Sequence, residues 1–212
     1  MDACVIFDID GTLVDSVADD ARLYAAAVLR VLGDVSLRPR WSDYEHVTDR
    51  GILRQICHEN GLDITRCEQS VRTRFGELMA DHLRQESSCP PTPGAISFLE
   101  KLRNKPDCRI GIATGGWGHT ARMKLACAGY EVSDIPLTSS DDGHERVRIM
   151  EQCRDLLPAA AVTIYVGDGD WDKRACERLG WRFIGVGSRL HGKCEYWLPD
   201  FSDPHLLQTL LG

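Results

Sequence analysis

Residues 4–16, Cys4-Val5-Ile6-Phe7-Asp8-Ile9-Asp10-Gly11-Thr12-Leu13-Val14-Asp15-Ser16, constrain the fold more than any other stretch of the chain. Four apolar residues run into a carboxylate, a second carboxylate follows two positions on, and Gly-Thr then turns the chain. A strand inside a parallel sheet carries apolar side chains on both faces. Asp8 and Asp10, by contrast, must meet water, a cation or a substrate. In an open α/β sheet that place is the carboxyl edge of the strands. Side chains at i and i+2 leave a strand on the same side, so both carboxylates are expected to face one small site. Such a pair suits a hard cation and phosphoryl chemistry.

The rest of the chain supports a sheet of this kind. Apolar runs at 4–7, 109–113, 135–138, 162–166 and 182–186 read as strands. Between the later ones lie helical patterns at about 95–104, 118–128, 144–157 and 171–179, with a last helix near 204–211. That alternation implies βαβ units on a parallel sheet with right-handed crossovers. The rhythm breaks after the first run. From about 16 to 88 no strand is apparent, and helices are expected at 16–32, 42–60 and 65–86. Ser16-Val17-Ala18-Asp19 reads as a capping box for the first of them. The Pro- and Gly-rich segment 87–94 ends the last. A helical module therefore stands between two linkers, near 14–16 and 87–93.

The first motif, Asp8-Ile9-Asp10-Gly11-Thr12, resembles the DxDGT signature of the haloacid dehalogenase-like superfamily. Most members of that superfamily are magnesium-dependent phosphatases. The resemblance implies a Rossmann-like parallel α/β core with helices on both faces, plus a small α-helical cap domain of the C1 type. The core would take 1–15 and 90–212, and the cap 16–89. It also implies that Asp8 attacks phosphorus while Asp10 acts as general acid and base. A cap of this kind closes over the site, excludes water and selects the substrate.

Two later segments match in chain order. Ile110-Gly111-Ile112-Ala113-Thr114-Gly115-Gly116 is an apolar strand ending in a hydroxyl and two glycines. Its Oγ and backbone N–H groups suit an anion, and a helix beginning near Trp117 adds its N-terminal dipole. By resemblance Thr114 holds the phosphoryl oxygens, with Gly115 and Gly116 beside it. Val162-Thr163-Ile164-Tyr165-Val166-Gly167-Asp168-Gly169-Asp170-Trp171-Asp172 carries the family's G-D-x-x-x-D string. By resemblance Asp168 and Asp172 serve Mg²⁺ together with Asp8 and the carbonyl of Asp10. Asp168 is the direct ligand; Asp172 binds through water or orients the loop.

The third motif departs from the family. After 135–138 the chain reads Ser139-Ser140-Asp141-Asp142-Gly143-His144-Glu145-Arg146, with no lysine before Lys173. Arg146 is the best placed substitute for the expected Lys, and Arg148, Lys124 and Lys173 are the alternatives. An Arg fork differs from an ammonium in reach and geometry. Within 46–51, Thr48 and Asp49 are candidates for reading the leaving group, and Trp117 and His119 for lining the entrance.

A net charge of −7 without a basic stripe argues against nucleic acid as partner. No apolar run approaches the ~18 residues of a membrane span, and no signal peptide is apparent. Nine cysteines, an odd count without a C-x-x-C pair, fit a reduced cytoplasmic protein. Cys4, Cys108, Cys127 and Cys176 are expected to pack as small hydrophobes. Zinc is not expected, because no His/Cys cluster has ligand spacing.

The expected activity is hydrolysis of a small-molecule phosphate monoester, with the oligomeric state left open. A phosphomutase or other phosphoryl transferase of this superfamily would use the same residues. Dehalogenases lack the second Asp, and phosphonate hydrolysis needs a cap lysine that 16–88 does not contain. The rival from another class is a non-catalytic binding or signalling module. Receiver domains are shorter and have no helical insertion, and a binding-only descendant would be expected to lose Asp8 or Asp10.

Overall fold

The computed structural model describes residues 2–86 and 89–206. Six parallel strands form one sheet in the order β3-β2-β1-β4-β5-β6. They are β1 (Ala3–Phe7), β2 (Cys108–Ala113), β3 (Leu137–Thr138), β4 (Val162–Gly167), β5 (Arg182–Val186) and β6 (Tyr196–Leu198). β1 lies at the centre and every one of its residues is fully buried. Its side chains alternate between two cores, as a pleated strand requires. Val5 and Phe7 pack with Phe98, Leu99 and Leu125. Cys4 and Ile6 pack on the other face with Ile149, Met150 and Tyr165.

These two cores are roofed by helices α4 (Ala95–Arg103) and α5 (Gly118–Cys127) on one face and α6 (Arg146–Asp155) and α7 (Asp170–Leu179) on the other. Register decides where the polar tips fall. Phe7 pairs with Ile112 of β2 and with Val166 of β4. The three strands therefore end level, and Asp8, Thr114 and Asp168 emerge at one edge.

Between β1 and α4 the chain leaves the sheet for α1 (Val17–Leu32), α2 (Asp49–Glu59) and α3 (Ile64–Glu86). These helices bury their own cluster, including Leu23, Tyr24, Leu53, Ile56, Phe75 and Met79, which closes on Trp117 from the core. The linkers run side by side. Asp15 N–H donates to the Pro90 carbonyl and Thr92 N–H to that of Leu13, at 3.0 and 2.9 Å. That pairing is a two-stranded junction between the helical insertion and the sheet domain.

The structure corrects the sequence reading in several places. β6 is an extra strand, three residues long. In place of a helix over 42–60 there is a 3-10 turn (Trp41–Asp43), a loop, and then α2, whose N-cap Thr48 accepts a hydrogen bond from Gly51 N–H. The Ser16 capping box does not form: the hydroxyl donates instead to Asp10 Oδ1 at 2.5 Å. A bond to a carboxylate is the stronger of the two choices. Cys127 is exposed and Cys108 only half-buried, whereas Cys4 and Cys176 are buried as expected. Most of the expected helix near 204–211, and residues 87–88 of the second linker, lie outside the described residues. Among the described residues no helix is long and apolar enough to cross a membrane.

Candidate active site

Asp8 follows β1 directly, and its backbone N–H still donates to Val166 at 2.9 Å, so the strand carries its carboxylate to the edge. Gly11 lies at φ +78°, a conformation open to glycine. A Cβ there would sit 2.2 Å from Asp168 Oδ2. This turn therefore lets Asp168 come in beside Asp8. Oxygens of Asp8, Asp168 and Asp172 all lie within 4.8 Å of one another, and all three residues are buried.

Such a cluster strongly disfavours its own ionisation. Burial raises the Asp8 carboxyl above its ordinary value, with Arg146 opposing and Asp10 adding to the rise. Burial, then the Asp8 charge, pushes Asp168 up to about 7. Asp172 is likewise raised by burial, against the pull of Arg146. Three buried oxygen ligands short of positive charge are the donor set of a hard divalent cation, so these residues fit one.

Arg146 occupies the place of the missing lysine. Its Nη1 donates to Asp8 Oδ1 at 3.2 Å, and its Nε faces Asp172 Oδ1 at the same distance without hydrogen-bond alignment. Burial works against its charge, but Asp172 and Asp8 outweigh that and hold it protonated. Gly115 makes the space: a Cβ there would lie 2.9 Å from Arg146 Nη2 and 2.9 Å from the Val47 carbonyl. The other candidates point elsewhere. Arg148 pairs with Glu151 on the surface, and Lys173 donates to the Lys193 carbonyl. Lys124 bonds Asp10 rather than Asp8.

Thr114, 1% exposed, continues the β2–β3 pairing through its backbone, and its Oγ1 accepts from Gly116 N–H at 3.2 Å. Thr114, Gly115 and Gly116 border a cavity of about 400 Å³ that also reaches Asp8, Asp10 and Asp168. Its far wall is the helical insertion, with Ala21, Tyr24, Trp41 and Ile52. Six aspartates and three arginines line it. A phosphate dianion entering such a surplus of carboxylate requires additional positive charge.

Thr48 and Asp49 also border the cavity, but their polar atoms are engaged in joining insertion to core. Thr48 Oγ1 donates to the His144 carbonyl at 2.7 Å. Asp49 Oδ2 accepts from Trp117 N–H at 2.8 Å, and its own N–H donates to Gly115. Trp117 and His119 do not line the entrance. Trp117 is buried with its ring 5.8 Å from Tyr24 and 6.1 Å from Phe75, and His119 packs against Gly76 of α3.

Three features are set by partners that only the fold brings together. Arg189, after β5, pairs with Asp168 at 3.0 Å and lies over the Trp171 ring. Lys124 is fully buried between Asp10 and Asp20. His46 and the adjacent pair His144-Glu145, distant from it in sequence, bring possible ligand atoms within 4.8 Å of one another where insertion meets core. Burial lowers His144 and favours its neutral form.

The haloacid dehalogenase-like hydrolase family matches residues 3–180, and the chain belongs to it. Solved structures share the fold over nearly the whole length. A hydrolase from Pseudomonas syringae is 22% identical, with 98% of this chain and 97% of that one covered and a TM-score of 0.75. CbbY from Rhodobacter sphaeroides, solved in complex with phosphate, is 19% identical with 96% of each chain covered and a TM-score of 0.70. A β-phosphoglucomutase from Clostridium difficile is 13% identical, with 99% and 96% covered and a TM-score of 0.71. No curated protein matches the chain.

Proposed function

We propose that this hydrolase cleaves a small-molecule phosphate monoester through an aspartyl phosphate on Asp8, with Mg²⁺ as cofactor. The observation that carries the reading is the convergence of Asp8, Asp168 and Asp172 with Arg146 at a cavity that Asp10 also borders. Asp8 and Asp168 would hold the cation, with Asp172 beside them and the Asp10 carbonyl as a further ligand. When bound, Mg²⁺ offsets the charge that would otherwise keep an anionic phosphate from an anionic nucleophile.

The residues of the chain divide the remaining work. Arg146 opposes the effect of burial on Asp8, favouring its ionised form, and steers its oxygen toward phosphorus. Thr114 and the backbone N–H groups of its glycine turn bind the equatorial oxygens. Asp10 gives a proton to the departing alkoxide, then takes one from the water that cleaves the acyl phosphate. The insertion, 16–89, acts as the cap domain over the core formed by 1–15 and 90–212. Its wall combines Trp41, Ile52 and Ala21 with Arg40, which suits a leaving group with an apolar face. Thr48 and Asp49 shape that wall while anchoring it.

A panel of phosphate monoesters, assayed with and without Mg²⁺, tests the reading. Release of inorganic phosphate that depends on Mg²⁺ and vanishes in Asp8→Asn supports it. Hydrolysis indifferent to that substitution refutes the assigned nucleophile. Phosphate transfer to a sugar hydroxyl in place of release would make the enzyme a phosphomutase or another phosphoryl transferase.

A further inference from the structure

We propose that Lys124 is a positioning residue for the Asp10 carboxylate, and that Asp20 ties this positioning to the seating of the helical insertion. The proposal rests on the phosphatase reading above and specifies how its proton donor is controlled.

Lys124 lies on α5, is 0% exposed and does not border the cavity. Its Nζ donates to Asp10 Oδ1 at 2.5 Å and Oδ2 at 2.7 Å, and to Asp20 Oδ1 at 2.5 Å. An ammonium has three donors, and these contacts use all of them. Ser16 adds a donor to Asp10 Oδ1 at 2.5 Å, so Oδ2 is the less encumbered oxygen. A Cβ placed on Gly116 would lie 3.8 Å from that Oδ2 and 3.7 Å from Thr114 Oγ1. The two oxygens therefore flank one small space at the phosphate cradle.

The three charged groups do not belong to one unit. Lys124 and Asp10 are in the core, whereas Asp20 stands on α1 of the insertion. Burying an ammonium is costly unless carboxylates surround it. With α1 seated, the ammonium is divided between two carboxylates. With α1 lifted about the paired linkers, Asp20 leaves and Asp10 alone holds Nζ. The donor carboxylate is then in its working arrangement only while the insertion is seated.

The consequence is specific to the steps that need Asp10. In the first step, the Asp8–phosphorus bond forms as the phosphorus–oxygen bond to the leaving group breaks. That oxygen keeps the bonding pair; an alkoxide takes a proton from Asp10, while p-nitrophenolate leaves without one and the Asp10 proton passes to solvent before the second step. In the second, water attacks phosphorus and passes its proton to Asp10, and Asp8 recovers the bonding pair. Misplacing Asp10 therefore spares the first step for p-nitrophenyl phosphate and slows the second for every substrate.

The test is rapid mixing of wild type, Lys124→Met, Asp20→Asn and the double variant with p-nitrophenyl phosphate or glycerol 1-phosphate and Mg²⁺. In Lys124→Met and the double variant we expect a burst of one p-nitrophenolate per site. Steady turnover should follow at about 100-fold below wild type, the scale of general acid–base catalysis. Glycerol 1-phosphate should show the loss without a burst. Asp20→Asn, which leaves Nζ on Asp10, should shift both readouts in the same direction by less. If Lys124→Met does not fold, the double variant and Asp20→Asn decide. An equal loss on both substrates without a burst, or no loss, overturns the proposal. A wild type that hydrolyses neither ester overturns the phosphatase reading itself, and the positioning role falls with it.

Discussion

Asp168 offers a prediction with a sign and a size. Its carboxyl, ordinarily near 3.8, is held at about 7 in the metal-free fold, first by burial and then by Asp8. Between those two values the folded chain binds a proton that the unfolded chain has lost, so stability falls as pH rises through the window. Below 3.8 both states are protonated and the effect is absent. One pKa unit is about 1.36 kcal/mol, so the full penalty above pH 7 is roughly 4 kcal/mol. For a chain of this size that is a shift of roughly 10 °C in melting midpoint. The assay is thermal unfolding in chelator from pH 5 to 8, wild type beside Asp168→Asn, which cannot ionise there. Wild type should lose stability relative to the variant as pH rises, and saturating Mg²⁺ should abolish the difference or reverse it. Parallel curves for the two proteins in chelator would refute the reasoning.

Other expectations follow from the same contacts. Arg146→Met strips Asp8 and Asp172 of their shared partner and should cost about 3–5 kcal/mol in denaturant unfolding, with Mg²⁺ recovering part of it. Gly115→Ala forces a Cβ to 2.9 Å from both Arg146 and the Val47 carbonyl. It should lower stability by about 1–3 kcal/mol and reduce kcat more than Arg148→Ala, which alters only a surface pair. Arg189→Gln removes a charge that lowers the Asp168 pKa. That guanidinium also occupies Asp168 Oδ2 at 3.0 Å and repels a divalent cation more than it repels a proton, so the Mg²⁺ concentration for half-maximal activity should fall.

Much of the core is readable from the chain because its signals are local. An apolar run ending in a carboxylate or in Thr-Gly-Gly marks a central strand and the polar tip it exposes. Asp8, Thr114 and Asp168 meet because β1, β2 and β4 share a register. Residues whose role depends on a distant partner carry no such mark. Lys124 sits within an ordinary helical pattern, and only the fold brings it to Asp10, 114 positions away. Arg189 follows β5 in a short 3-10 turn (Ser188–Leu190) whose composition says nothing of Asp168. The Ser16 capping box has the right letters, but a neighbouring carboxylate competes more strongly for the hydroxyl. β6 is too short for alternation to reveal.

The central claim is that Asp8 becomes esterified during turnover. Rapid acid quench of enzyme, Mg²⁺ and a turned-over phosphate monoester, followed by peptide mass mapping, addresses it directly. The expected result is a transient acyl phosphate on the peptide that carries Asp8, absent from Asp8→Asn and from reactions run in chelator. Turnover with the phosphoryl group on another residue, or on none at any time of quench, would contradict it.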